Sequence, residues 1–224
     1  MIAKWLFQTF AWLLGFAVLL FVPAGTLHWG GAWVFLLFMV AAALGFGGWL
    51  AKTNPGLLAE RMRSPIQADQ PSADKKLLAV FFPVYLIWFV AMGLDERFHP
   101  GRIAVAWQAL GLVLLIASSA FIQWVFMENT FAAAVVKVQS ERGHHVISTG
   151  PYAFVRHPMY SGAIPFMVGT ALLLGSWWGT AISPIFAVFF AIRIRIEERT
   201  LMTGLSGYAD YAVRVRYRLL PGVW

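Results

Sequence analysis

The chain has 224 residues, 60% of them hydrophobic and 12% charged, against roughly 45–50% and about 25% in soluble globular domains. A globule of this length cannot hide that much apolar surface, which excludes a soluble fold and assigns the surplus to lipid. The formal charge is +7 and cysteine is absent, so disulfide frameworks, thiolate zinc sites and cysteine nucleophiles are excluded together.

Crossing roughly 30 Å of hydrocarbon takes about 20 helical residues, and six apolar runs approach that length: Trp5 to Ala24, Trp29 to Leu50, Leu77 to Leu94, Ile103 to Met127, Pro158 to Gly175 and Trp177 to Ile192. None contains Asp, Glu, Lys or Arg. The first follows Lys4 as a signal peptide would, but it exceeds the usual apolar length and a second run follows closely, so it reads as a retained span. The last two, short and separated only by Ser176, read as a tight helical hairpin that spans the bilayer, with a hairpin that dips in and returns as the alternative. Trp5, Trp29, Trp33, Trp107, Trp177 and Trp178 near the span ends read as interfacial belts. The expected fold is therefore all-α and polytopic, with about six transmembrane helices in one domain: residues 1–127 carry the N-terminal membrane helices, and residues 128–224 a loop, the hairpin and a C-terminal segment.

Fifteen of the seventeen Lys and Arg residues fall on one side of this arrangement, leaving only Arg97 and Arg102 on the other. The positive-inside rule then puts both termini in the cytoplasm. The basic excess faces anionic lipid heads; no nucleic-acid module accompanies it.

Both long polar stretches, Ala51 to Lys76 and Glu128 to His157, lie on that inner side. In the first, Asn54-Pro55 opens a helix with Leu57, Leu58 and Met62 on one face and Glu60, Arg61 and Arg63 kept wet, as in an interfacial helix; a solvated loop is the alternative. In the second, polar density rises from Gln139. Three of the five histidines, His144, His145 and His157, fall within fourteen residues. Gly150-Pro151-Tyr152 signals a turn, and Arg156-His157-Pro158 abuts the fifth span with Pro158 at a first helical position, where exposed amides attract anions. If the last span continues as helix, Arg193 and Glu197 share a face at the level of His157 and Tyr160. An internally paired juxtamembrane anchor would give the same spacing. No metal is expected, since no cysteine helps and no His-x-x-x-His occurs. Nucleophile elbow, Walker loop and dinucleotide fingerprint are likewise missing.

At these residues the sequence resembles the isoprenylcysteine carboxyl methyltransferase family of integral membrane enzymes. The resemblance rests on Gln139, the His144 to Ile147 stretch, Gly150-Pro151-Tyr152, Arg156-His157-Pro158-Met159-Tyr160, Arg193 with Glu197-Glu198, and Tyr208 with Tyr211, in that order over about the last 90 residues. It implies S-adenosylmethionine as cofactor, in a cytoplasmic pocket formed by Gln139, His144, His145, Val146, Ile147, Tyr152, His157, Pro158, Met159, Tyr160 and Glu197. It also implies Arg193 at the anionic group of the substrate, Arg193 and Glu197 as the catalytic pair, and a lipophilic small-molecule or lipidated acceptor drawn from the bilayer. A carboxylate acceptor is already ionised near neutral pH and needs no strong base; an amine or phenol would need one, and His157 or Glu198 are the candidates. The ending Tyr217 to Trp224 also resembles sterol C14 and C7 reductases. An NADPH-dependent reductase, a phospholipid N-methyltransferase and a non-enzymatic membrane protein therefore stay open beside carboxyl methylation.

Overall fold

In hydrocarbon the backbone must satisfy its own hydrogen bonds, and long apolar segments do so as helices. The computed structural model describes residues 1–224, and all of its regular elements are helical. They are α1 (Ile2–Ala24), α2 (Gly30–Thr53), α3 (Pro55–Arg61), α4 (Ser72–Phe98), α5 (Val105–Glu128), α6 (Pro158–Leu173), α7 (Trp177–Ile182), α8 (Pro184–Gly204) and α9 (Tyr208–Arg214). With large apolar side chains such as Phe7, Leu37, Ile87 and Val113 turned outward, the bundle is that of an integral, multi-pass membrane protein.

Five helical stretches are long and apolar enough to cross a bilayer: α1, α2, α4, α5 and the α7–α8 pair. The remaining expected span, α6, has 16 residues, a rise of about 24 Å, and it runs from the Arg156–His157 segment to a turn beside the far end of α4. At the end of α6 the chain turns through Gly175 in a left-handed conformation (φ 72°). Ser176 then caps α7 by accepting from the Gly179 amide. That hairpin turn is fastened to α4, where buried Asp95 accepts from the Ser176 hydroxyl at 2.7 Å and the Trp178 amide at 3.1 Å.

The core is aromatic, built on Phe16, Phe35, Trp88, Phe89 and Phe186 from α1, α2, α4 and α8. Buried indoles need a partner for their N–H; Trp88 donates to the Gly179 carbonyl at 2.8 Å and Trp29 to that of Leu174 at 3.1 Å. Trp29, expected in an interfacial belt, is therefore a core residue, whereas Trp33, Trp107, Trp177 and Trp178 are exposed. The closest helix pair is α5 with α6. A Cβ built on Gly111 would stand 2.7 Å from the Gly169 carbonyl, and one on Gly169 would stand 2.9 Å from the Gly111 carbonyl. Only glycine lets these backbones meet so closely.

The Asn54-Pro55 signature does open α3, with the Asn54 side chain accepting from the Leu57 amide at 3.0 Å and Leu57 and Leu58 buried. Its polar face departs from expectation. Arg63 is exposed, but Glu60 is buried against the Lys137 ammonium at 2.7 Å. Arg61 donates to the Ala132 carbonyl and lies 4.4 Å above the Phe126 ring. The two polar stretches have closed on one another, so groups expected in water hold the second stretch down.

Candidate functional site

Between α5 and α6 the chain runs through residues 129–157 with only two short 3-10 turns, so side chains must satisfy its backbone. Asn129 accepts from the Phe131 amide at 2.9 Å and donates to the Tyr152 hydroxyl at 2.8 Å. Gln139, fully buried, donates to the Phe131 carbonyl at 2.6 Å and accepts from Arg142. Its backbone amide donates to His144 Nδ1 at 3.2 Å. That bond needs a lone pair on Nδ1, so the imidazole is neutral with its proton on Nε2. Burial, reinforced by His145 and Arg142, pulls His144 down to about 4, and its ring stacks on Phe131 with centroids 4.5 Å apart.

These supports frame a cleft of about 820 Å³, its open mouth included. Phe131 and the His144 to Ile147 stretch form one wall; Leu201, Leu205, Tyr208 and Tyr211 form another. The Tyr211 hydroxyl donates to the Tyr152 carbonyl at 2.8 Å, which ties α9 to the Gly150-Pro151-Tyr152 turn. Burial pushes the Tyr152 phenol upward, so it stays a neutral donor and acceptor. Tyr208 is only 4% exposed, and its hydroxyl has no hydrogen-bond partner. A buried orphan hydroxyl costs about 1–3 kcal/mol, and this one belongs to a residue that lines the cleft.

The polar floor is charged. Glu197 accepts from the Tyr160 hydroxyl at 3.0 Å and lies 3.8 Å from His157 Nδ1. Arg193 Nε donates to Asp74 at 3.0 Å, and its terminal nitrogen donates to the Ala134 carbonyl at 2.6 Å. Asp74, fully buried at the start of α4, also accepts from the Val136 amide at 3.1 Å and the Gln70 amide at 2.7 Å. Beside it, Lys137 donates to Gln67 at 3.0 Å. Burial alone would raise the Glu60 carboxyl, but Lys137 and Arg63 hold it below its ordinary value.

Of the residues expected at the cofactor, His144, His145, Val146, Ile147, Tyr152, His157, Met159, Tyr160 and Glu197 all line the cleft, as does Arg193. Two do not. Gln139 lies behind the wall as its staple, and Pro158 is buried as the first residue of α6. The i, i+4 pair Arg193 and Glu197 does turn to one space, but Arg193 binds Asp74 instead of Glu197. Arg156, expected at an anion-attracting helix start, is consumed internally by Glu198 at 2.7 Å and by the carbonyls of Ala212, Val215 and Arg216. Glu198 accepts in addition from Arg218 at 2.8 Å and faces His157 Nε2 at 3.3 Å, so it is not a free base. Asp74, Phe131 and the Ala134 carbonyl escaped the reading of the sequence. Tyr208 carried a signal in its spacing from Tyr211, but its place on the cleft did not.

Residues 106–207 match the family model described as phospholipid methyltransferase. Among curated proteins, the protein-S-isoprenylcysteine O-methyltransferase of Saccharomyces cerevisiae is 38% identical over 84 residues, covering 36% of this chain and 35% of that protein. The protein of the same name from Schizosaccharomyces pombe is 32% identical over 112 residues, 48% of this chain and 46% of its own. Over these segments the chain is similar to protein-S-isoprenylcysteine O-methyltransferases. Its matched segment spans less than half the length of these two relatives. A solved structure, that of the eukaryotic intramembrane Ras methyltransferase ICMT, covers 95% of this chain and 75% of its own at a TM-score of 0.65 and 21% identity. The likeness in fold thus extends over nearly the whole chain, and the likeness in sequence to these two relatives over less than half of it.

Proposed function

We propose that this chain is an S-adenosylmethionine-dependent integral membrane methyltransferase acting on the carboxylate of a lipophilic, isoprenylcysteine-like acceptor. The observation that carries the reading is one cleft, at the end of a membrane bundle, that joins an aromatic wall, the Tyr160–Glu197 pair and the anchored Arg193 guanidinium. The residues fit a sulfonium nucleoside. Tyr152 and Tyr160 offer aromatic rings that attract a cation, Glu197 offers the opposite charge, and the orphan Tyr208 hydroxyl offers a polar group an unmet bond, while Phe131 backs the wall beneath His144. His144, His145, Val146, Ile147, His157 and Met159 would complete the holding surface, with Gln139 and Pro158 fixing its backbone.

When bound, the cofactor supplies a methyl group on a leaving group of its own. The protein's share is alignment and charge. Tyr160 donates to Glu197 and fixes the carboxylate on the cation's side of the cleft. Asp74 and the Ala134 carbonyl hold Arg193, whose remaining donors are suited to the acceptor's carboxylate. No proton need leave that acceptor, in keeping with Glu198 being fully engaged by Arg156, Arg218 and His157. We further place both termini in the cytoplasm, from the fifteen of seventeen Lys and Arg residues on that side. Residues 1–127 and 128–224 are proposed to form one domain, the second part holding the cofactor.

Calorimetry with the purified protein tests the cofactor: saturable binding of S-adenosylmethionine or its demethylated product is expected, and binding of NADPH in their place would favour the reductase reading. The match to the phospholipid methyltransferase model favours one second reading, N-methylation of a lipid headgroup. Labelled methyl transfer to lipid extract and to a prenylated cysteine distinguishes the two. Base-labile products are expected; base-stable ones would move the acceptor to an amine.

A further inference from the structure

A second cleft, of about 850 Å³ with its open mouth, lies outside the first and is lined by Arg195, Glu198, Arg199, Met202, Thr203 and Arg218. Arg195, Arg199 and Met202 are spaced at i, i+4 and i+7 and so share one face of α8. Arg218 arrives from the C-terminal segment, its guanidinium 5.2 Å from the Trp224 ring and bonded to Glu198 at 2.8 Å. Glu198 is the one acid in the cleft, and Arg156 already claims its other oxygen at 2.7 Å. Arg195 and Arg199 are left exposed with no carboxylate of their own. Thr203 spends its hydroxyl on the Arg199 and Thr200 carbonyls, so the cleft's free polar groups are guanidinium donors.

Position narrows the ligand. The apolar run of α8 ends at Ile192, three residues before Arg195, a rise of about 4.5 Å. That puts the cleft at the boundary where lipid phosphates lie. Guanidinium forks match a phosphate oxygen pair in a way a lone ammonium does not. We propose that Arg195, Arg199 and Arg218 form a binding site for an anionic phosphate ester, as carried by the headgroup of an acidic phospholipid. The site is separate from the proposed methyl transfer and stands or falls without it.

The test uses the full chain in phosphatidylcholine nanodiscs, with and without phosphatidylglycerol, and in phosphatidylcholine with added inorganic phosphate. Lipid retained after mild detergent release is read by native mass spectrometry, and the unfolding midpoint is measured in each arm. Wild type is expected to keep phosphatidylglycerol over phosphatidylcholine and to unfold at a higher temperature with it. The preference should fall about tenfold or more in R195Q/R199Q. R195K/R199K, which keeps charge without the fork, should fall between them, and it carries the comparison if R195Q/R199Q does not fold by circular dichroism. A rise with inorganic phosphate but not with phosphatidylglycerol would keep the anion site and assign its ligand to a soluble source. Equal lipid retention and equal midpoints in wild type and the variants overturn the site.

Discussion

Asp74 carries more of the proposed chemistry than any other residue outside the recognisable motif. Its carboxylate collects Arg193, the Val136 amide and Gln70 in a fully buried position. Breaking a buried ion pair from one side costs about 3–5 kcal/mol, because it strands the other charge. D74N should therefore raise the acceptor KM by tenfold or more while cofactor affinity, measured by calorimetry, changes little; D74E should recover part of the loss. A parallel fall in both would reduce Asp74 to a packing role. The sequence could not announce it, since Asp74 stands in a polar stretch and its partner lies 119 residues away. His144 is different: its identity was legible, its state was not. A histidine held at about 4 when folded but near 6.5 when unfolded binds fewer protons in the native state between those values. Stability should then decline as pH falls through that window. Thermal unfolding between about pH 7 and 5 checks this, with a shallower decline expected in H144N.

At the scale of elements, the long helices and the Gln139 to Tyr160 signature were readable because their information is contiguous: an apolar run needs no partner to be recognised, and the motif's residues meet within one loop. The mate of that loop was not readable. α3 follows its Asn54-Pro55 signal, yet Glu60 and Arg61 turn inward because Lys137 and the Ala132 carbonyl are there to receive them. The far end of α6 also has a partner that no local pattern names, since Asp95 on α4 holds Ser176 and Trp178 just past the Gly175 turn. Gln139 tests how far the loop depends on its staple. Q139A would orphan the Phe131 carbonyl and release Arg142, a loss of about 1–3 kcal/mol. Faster amide hydrogen exchange across residues 139–145 is expected, with weakened cofactor binding. Unchanged exchange would detach Gln139 from the loop's order.

Across the whole molecule, the two ends of the bundle do different work. One end is locked by Asp95, Ser176 and Trp178; the other gathers both polar stretches, the C-terminal segment and both clefts. Between them the aromatic core runs unbroken from α1 to α8 and meets the first cleft where Tyr160 stacks on Phe190 at 5.3 Å. The contact of Gly111 with Gly169 then acquires a meaning beyond close packing. Two backbones touching without side chains between them act as a welded plank, which shuts the half of the α5–α6 seam that lies away from the cleft to a greasy tail. On the proposed reading, Phe190 stands where the apolar core meets the cleft, so a tail admitted beside α8 would find a doorway whose width is set by how far that ring can swing.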